Sequence, residues 1–372
     1  MRYFIYGYYG YGNFGDDLLL RGLIEGIRAR DTEAQFFVHS FGIVPGYLRN
    51  VEFTGLAGDL NNVRTQPWRL VSYTFDLARW LNRSDILVVG GGTLFIDKGR
   101  FNVSLALLYV GTILARVMRK RVVVVGVGVD RLTHPISRWL TRRILGAAEF
   151  VAVREALSLP YVAHRSTATT RLSADLALAL DIPPAHARLQ RSKPTIGVCF
   201  IDYFRTVEPS ETSHALYTAA IVRLIEGYRN EFEFACITFQ RGVGQRDDWL
   251  LPLWHELYPE GGVIHVDSFE SACQMAGAVD ILLTTRFHLG LLGVIWGKSV
   301  IVIDHELKLA SLSADFALPS ISLADFMANK DIDLHLLLDQ YNPERTAACL
   351  ATQRGRAALN FEWLTTTETL NA

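Results

Sequence analysis

Short runs of apolar, β-branched and aromatic residues recur along the chain with helix-length stretches between them, and they predict two α/β sheets in tandem. The first series covers residues 3–6, 35–39, 85–89, 121–127 and 150–153. The second covers 195–200, 232–239, 262–266, 281–284 and 300–303. Within each run the apolar residues are nearly continuous instead of alternating, the pattern of parallel strands covered by helices on both faces. Between the series, residues 181–194 contain three prolines in a polar setting, which marks the linker. The expected domains are therefore 1–182 and 195–342. Residues 343–372, with Ala, Leu, Arg and Glu at helical spacing plus Phe361 and Trp363, follow either as a terminal helix pair or as a segment that braces the first domain.

A chain of 372 residues accommodates two such domains, each with its own core. Half of the residues are apolar, a fifth are charged and the net charge is −1, which excludes a disordered or coiled-coil chain. Cys199, Cys236, Cys273 and Cys349 lie far apart with no C-x-x-C pair, so neither a zinc site nor a disulfide framework is expected. The N-terminus reads as a first strand and not as a signal peptide, pointing to a cytoplasmic protein. The nearly uncharged stretch 101–115 stops at Arg116 before it could span a bilayer, and it predicts a buried helix.

Charge changes the picture in one region. Residues 64–143 hold 14 Lys or Arg against 4 Asp or Glu, an excess of 10. An acidic ligand, an anionic membrane or nucleic acid would each suit it. No RNP, zinc-finger or helix-turn-helix signal accompanies the charge, so nucleic acid is not an expected partner. The stretch from Trp68-Arg69-Leu70 to Arg79-Trp80-Leu81 either packs on the sheet, the favoured reading, or rests on a bilayer.

The candidate chemistry sits at predicted strand ends, where open α/β sheets bind ligands. After the strand Val279-Asp280-Ile281-Leu282-Leu283 comes Thr284-Thr285-Arg286-Phe287-His288, and then a helix over 289–296. This places a guanidinium and an imidazole beside free helix amides, suited to an anion and a proton transfer, or alternatively to a structural ion pair. A first glycine loop, Gly7 to Asp17, precedes a helix starting near Leu18. It carries Asn13, Asp16 and Asp17, the carboxylates either capping the helix or orienting and deprotonating a hydroxyl. A second, Gly90-Gly91-Gly92-Thr93, follows the third strand, with Thr93 available to cap the next helix. Arg154, at the end of the fifth strand, either grips a carboxylate or phosphate or pairs with Glu155. Asp175 lines the interdomain cleft or caps a turn, and Asp304-His305-Glu306 either contacts an acceptor or forms a plain loop.

Taken together, Gly12-Asn13-Phe14-Gly15-Asp16-Asp17, Gly90-Gly91-Gly92-Thr93, Val153-Arg154-Glu155, Ala174-Asp175 and Arg286-Phe287-His288 resemble the polysaccharide pyruvyl transferase family in type, order and spacing. The chain departs from it in Asp17, where members often carry Glu, and in Phe287, commonly a smaller aliphatic. The resemblance implies two Rossmann-like α/β domains facing a cleft, similar to GT-B glycosyltransferases. It implies transfer of a pyruvyl group from phosphoenolpyruvate onto two hydroxyls of a sugar, as a cyclic ketal, in cell-surface polysaccharide biosynthesis. On this expectation His288 is the general acid and Asp16 the base, with Asp175 as second candidate. Arg154, Arg286, Phe287, Gly91, Gly92 and Thr93 bind the donor, and Asn13, Asp17 and His305 the acceptor. No metal or cofactor is called for, phosphoenolpyruvate being the donor substrate. The acceptor is a saccharide, either soluble or lipid-linked, the latter placing the protein at the inner face of the plasma membrane in contact with anionic lipid. The alternatives are a GT-B-type nucleotide-sugar glycosyltransferase and a non-catalytic phosphosugar-binding protein.

Overall fold

A computed structural model describes residues 1–40, 51–55, 68–97, 102–130, 132–162, 169–187, 191–240, 247–259, 261–328 and 332–365. The chain divides into two compact units: Met1–Tyr11 with Asp16–Asp181 and Gln353–Ala372, and Gly12–Gly15 with Ile182–Thr352.

The first unit holds a seven-stranded, all-parallel sheet. Its strands are β1 (Arg2–Tyr6), β2 (Gln35–Ser40), β3 (Val51–Gly55), β4 (Ile86–Phe95), β5 (Arg121–Val129), β6 (Phe150–Val153) and β7 (Thr169–Leu172), in the order β3-β2-β1-β4-β5-β6-β7. One face is covered by α2 (Trp68–Arg83), α3 (Val103–Val117) and α4 (Pro135–Ala147), which bury Tyr73, Leu77, Leu105, Leu108, Leu140 and Ile144 against it. Asn102 starts α3 by accepting the Ser104 amide at 2.9 Å, and His134 with Pro135 starts α4. The other face is covered by α1 (Phe14–Arg28) through Leu19, Leu20, Leu23 and Ile24, together with Phe361 and Trp363 from the C-terminal segment. Asn360 fixes that segment: its amide donates to Ala174 O at 2.9 Å, and its Oδ1 accepts from Ser173 Oγ at 2.9 Å.

The second unit repeats the plan with β8 (Thr195–Cys199), β9 (Glu233–Thr238), β10 (Gly262–His265), β11 (Ile281–Thr284), β12 (Ser299–Asp304) and β13 (Ser320–Ser322), all parallel, in the order β10-β9-β8-β11-β12-β13. Ile196, Val198, Leu283 and Ile301 meet Tyr217, Leu224 and Trp254 on one face. In both sheets the order reverses once, between β1 and β4 and between β8 and β11. Loops leaving the carboxyl ends on either side of such a reversal diverge, opening a crevice where ligands bind in this class of sheet.

Four expectations need correction. The glycine tract Gly90–Gly92 is not a loop, because β4 runs on through it, Gly90 paired with Val125 and Gly92 with Val127, with a register shift before Phe95. Thr93 therefore does not cap the next helix; Asn102 does. The helix after β11 begins at Phe287, not Leu289, and α1 begins at Phe14. The helix expected in 101–115 is α3, which buries Leu105, Leu107, Leu108, Thr112 and Ala115 and leaves Ile113, Arg116 and Val117 exposed.

Candidate active site

At the reversal in the first sheet, β1 and β4 end close together. Tyr9 Oη donates to Gly90 O at 2.6 Å, and a Cβ at Gly7 would stand 2.7 Å from that same oxygen. Gly91 and Gly92 take φ of +73° and +81°, so the chain passes here only as glycine. Behind the tract lies a buried ionic network. Arg154 donates through Nη1 to Asp175 Oδ2 and through Nη2 to Thr93 Oγ1, both at 3.0 Å, and its Nε lies 3.5 Å from Glu155 Oε2. Asp175 Oδ1 accepts the Ala177 amide at 3.0 Å and so also caps a turn. The structure thus joins Thr93, Arg154 and Asp175, and both sequence readings of Arg154 hold a share: it pairs with Glu155, but more closely with Asp175. A guanidinium has five donors in a rigid fork, so these partners can fix it in place for binding an anion.

Asp16 and Asp17 occupy the first turn of α1, where the helix dipole favours negative charge. Burial, with the neighbouring Asp16 carboxylate adding to it, pushes the Asp17 carboxyl up to about 7. A carboxyl that titrates near neutrality can both accept and return a proton, so Asp17 is better suited to acid–base work than its expected acceptor-binding role suggests.

At the reversal in the second sheet, Thr285 continues the pairing of β11 with β8. Its amide donates to Cys199 O at 3.0 Å, and its hydroxyl accepts the Ile201 amide at 2.9 Å. Arg286 then stands at the N-cap of the helix Phe287–Ile295, its own side chain making no cap hydrogen bond. Its guanidinium is held by two side chains: Nε and Nη2 donate to Asp247 Oδ1 at 2.9 and 2.6 Å, and Nη1 to Gln240 Oε1 at 2.9 Å. Asp247 Oδ2 meanwhile accepts the amides of Phe239 and Gln240, each at 2.8 Å. Burial works to lower the Arg286 pKa, but the Asp247 carboxylate more than offsets it, so the value is raised and the charge is permanent.

The segment Gly12–Gly15 belongs to this second unit. Asn13 makes an antiparallel bridge with Gln240, Phe14 N donates to Phe239 O at 3.4 Å, and the Phe14 ring packs edge-on against Phe239 and Phe269. Gly15 lies against the His288 imidazole so closely that a Cβ there would overlap Nδ1 and stand 2.8 Å from Cγ. Asn13, Gly15, Arg286, Phe287 and His288 are thereby gathered around one helix start, Phe287 edge-on to the His288 ring at 5.2 Å. His305, placed by sequence with the acceptor, is buried against Tyr203, with Nε2 3.3 Å from Thr285 O. Burial lowers its pKa to about 4, so the ring is neutral.

Asp247 and Gln240 are the residues that sequence reasoning missed. Both follow β9, again at a carboxyl end, but they lie 39 and 46 residues before Arg286, and nothing in the local sequence marks them as its partners. Among the described residues no group of three His, Cys, Asp or Glu is arranged to hold a metal ion.

A sequence model of the family described as Polysaccharide pyruvyl transferase matches residues 13–306. The chain belongs to this family. The match begins at Asn13 of the glycine loop and ends just past His305, so it takes in every candidate residue above. No curated protein matches the sequence. Similar solved structures include a putative UDP-N-acetylglucosamine 2-epimerase from Listeria monocytogenes (TM-score 0.63, 11% identity, covering 100% of this chain and 97% of that one). A UDP-GlcNAc 2-epimerase from Neisseria meningitidis bound to UDP-GlcNAc gives 0.60 at 10% identity, with 98% and 100% covered. A lipopolysaccharide outer core galactosyltransferase in its apo form gives 0.57 at 12%, with 99% and 100% covered. At such identities the likeness concerns the fold alone, and the fold of this pyruvyl transferase family member is GT-B-like.

Proposed function

We propose that the protein transfers the pyruvyl group of phosphoenolpyruvate to two hydroxyls of a saccharide, giving a cyclic ketal and inorganic phosphate. The observation that carries this reading is the gathering of Arg286, His288 and the Asn13–Gly15 turn at the reversal of the second sheet, in a chain of this family. Arg286, fixed by Asp247 and Gln240 at a helix N-terminus, suits one anionic group of the donor.

In this scheme protonated His288 delivers its proton to the methylene carbon of the enol, leaving an oxocarbenium-like centre at C2. A sugar hydroxyl adds to C2 as its proton passes to a carboxylate, for which Asp17, lying near neutrality, is preferred over Asp16. The C2–O bond to phosphate breaks, and the second hydroxyl closes the ketal. Of the two hydroxyl protons, one ends in net on the new methyl carbon by way of His288, and the other leaves with phosphate. Arg286 stabilises the charge that gathers on the departing group.

Incubation with phosphoenolpyruvate and a panel of free, nucleotide-linked and polyprenyl-linked saccharides tests the reading. Mass spectrometry should find a pyruvyl ketal on one acceptor, with stoichiometric phosphate, and His288→Gln should abolish both. Glycosyl transfer from a nucleotide sugar, with phosphoenolpyruvate left intact, would establish the rival glycosyltransferase reading.

A further inference from the structure

The chemistry above leaves the outward side of α2, α3 and α4 without a role. On it stand Val71 and Phe75, one turn apart on α2, Ile113 and Val117 on α3, and Ile136 and Trp139 on α4, all exposed. Phe75 is 72% and Val117 75% exposed. A lone surface hydrophobe is ordinary, but apolar pairs at helical spacing on three successive helices mark an interaction surface. Arg79, Arg116, Arg138, Arg142 and Arg143 are exposed on the same helices. Acidic residues are nearly missing: α3 and α4 have none, and α2 has only Asp76. Because α3 contacts both α2 and α4, and all three bury their opposite sides in one core, the outward sides form one surface.

We propose that this surface docks the protein on an anionic lipid bilayer, its apolar side chains entering the acyl boundary and its arginines meeting lipid phosphates. The mixture of groups decides the partner. Nucleic acid would engage the arginines but leave aliphatic and aromatic groups with nothing to bury against. A second copy in an isologous pair would set arginine against arginine. A bilayer satisfies both kinds of group at once. Trp80, nominated by the sequence for this contact, takes no part: it packs on Phe37 at 5.5 Å with Arg83 over its ring at 4.6 Å. Trp139 takes that place, with Arg143 5.4 Å from its ring. The proposal does not depend on the reaction assigned above.

Flotation of the full chain with phosphatidylcholine vesicles, with and without about 30% phosphatidylglycerol, tests it. Binding to the anionic vesicles should exceed binding to neutral ones by about tenfold and fall as salt rises from about 0.05 to about 0.5 M. Phe75→Ser with Val117→Ser, and separately Arg138→Gln with Arg142→Gln, should each cut binding about tenfold at unchanged unfolding temperature, as outward positions allow. If the serine pair lowers that temperature, the arginine pair alone decides. Failure to bind, equal binding to both vesicles, or full binding by the arginine pair overturns the proposal. So does a wild-type dimer that the serine pair dissociates, or binding to duplex DNA tighter than to vesicles.

Discussion

Gly15 is a residue whose missing side chain does the positioning. A methyl group there would drive into the His288 ring, so Gly15→Ala must displace the imidazole. If His288 is the proton donor, turnover should fall about 100-fold, because small misplacements of a reacting group are costly. Phosphoenolpyruvate affinity, resting on Arg286, should change less than about threefold by calorimetry; equal losses in both would contradict the assignment. Asp247→Asn makes the complementary case: it leaves a buried arginine short of its counter-charge and should cost about 3 kcal/mol in urea unfolding. Donor affinity should fall with it by about tenfold or more, whereas tighter donor binding would mean that Asp247 tunes charge and does not orient Arg286. Asp17 gives a pH signature. Its folded-state value near 7 lies above the unfolded carboxylate value, so the folded chain holds a proton that the unfolded chain has lost across that interval. The stability contributed is complete below about pH 4 and disappears as pH rises through about 7. Relative to wild type, Asp17→Asn should be near neutral at about pH 4 and more stable by on the order of 2 kcal/mol at about pH 8; a difference that does not vary with pH would refute the burial argument.

At the scale of elements, nine of the ten strands that sequence reveals are central ones, the exception being β10 at a sheet edge. β3, β7 and β13, which the sequence misses, are also edge strands pairing on one side only, and β7 and β13 are no more than partly buried along their length. β4 shows the opposite failure. Three glycines argue for a loop, yet hydrogen bonding to β5 carries the strand through them, because tertiary pairing outweighs local preference. Ala at Gly91 or Gly92 should cost about 1–2 kcal/mol from the left-handed backbone alone. The C-terminal segment is legible as helix, and the sequence leaves open whether it stands alone or braces the first domain; Phe361 and Trp363 complete a core built by residues more than 180 positions earlier. Phe361→Ala should destabilise the first unit by about 3–5 kcal/mol in thermal unfolding, and a cost under about 1 kcal/mol would show that the segment is not integral to it.

Across the whole molecule, both sheets follow one strand order; the two glycine segments and the Arg286-Phe287-His288 motif fall at the reversals, whereas Arg154 follows β6 and His305 follows β12. The rule that ligands bind at carboxyl ends of strands selects those motifs without any knowledge of strand order. What it cannot supply is the set of partners drawn from elsewhere in the chain: Asp247 and Gln240 for Arg286, and Gly15 for His288. These contacts exist only once the chain has folded. The claim on which the functional account rests is that Arg286 stands in a phosphoenolpyruvate site. The most direct measurement is titration calorimetry of phosphoenolpyruvate and of uridine diphosphate into wild-type protein and Arg286→Ala. The account predicts phosphoenolpyruvate binding to wild type that falls by about 100-fold or more in the variant, as loss of a charge-assisted bidentate partner implies. Binding of uridine diphosphate alone, or phosphoenolpyruvate affinity unchanged by the substitution, would contradict it.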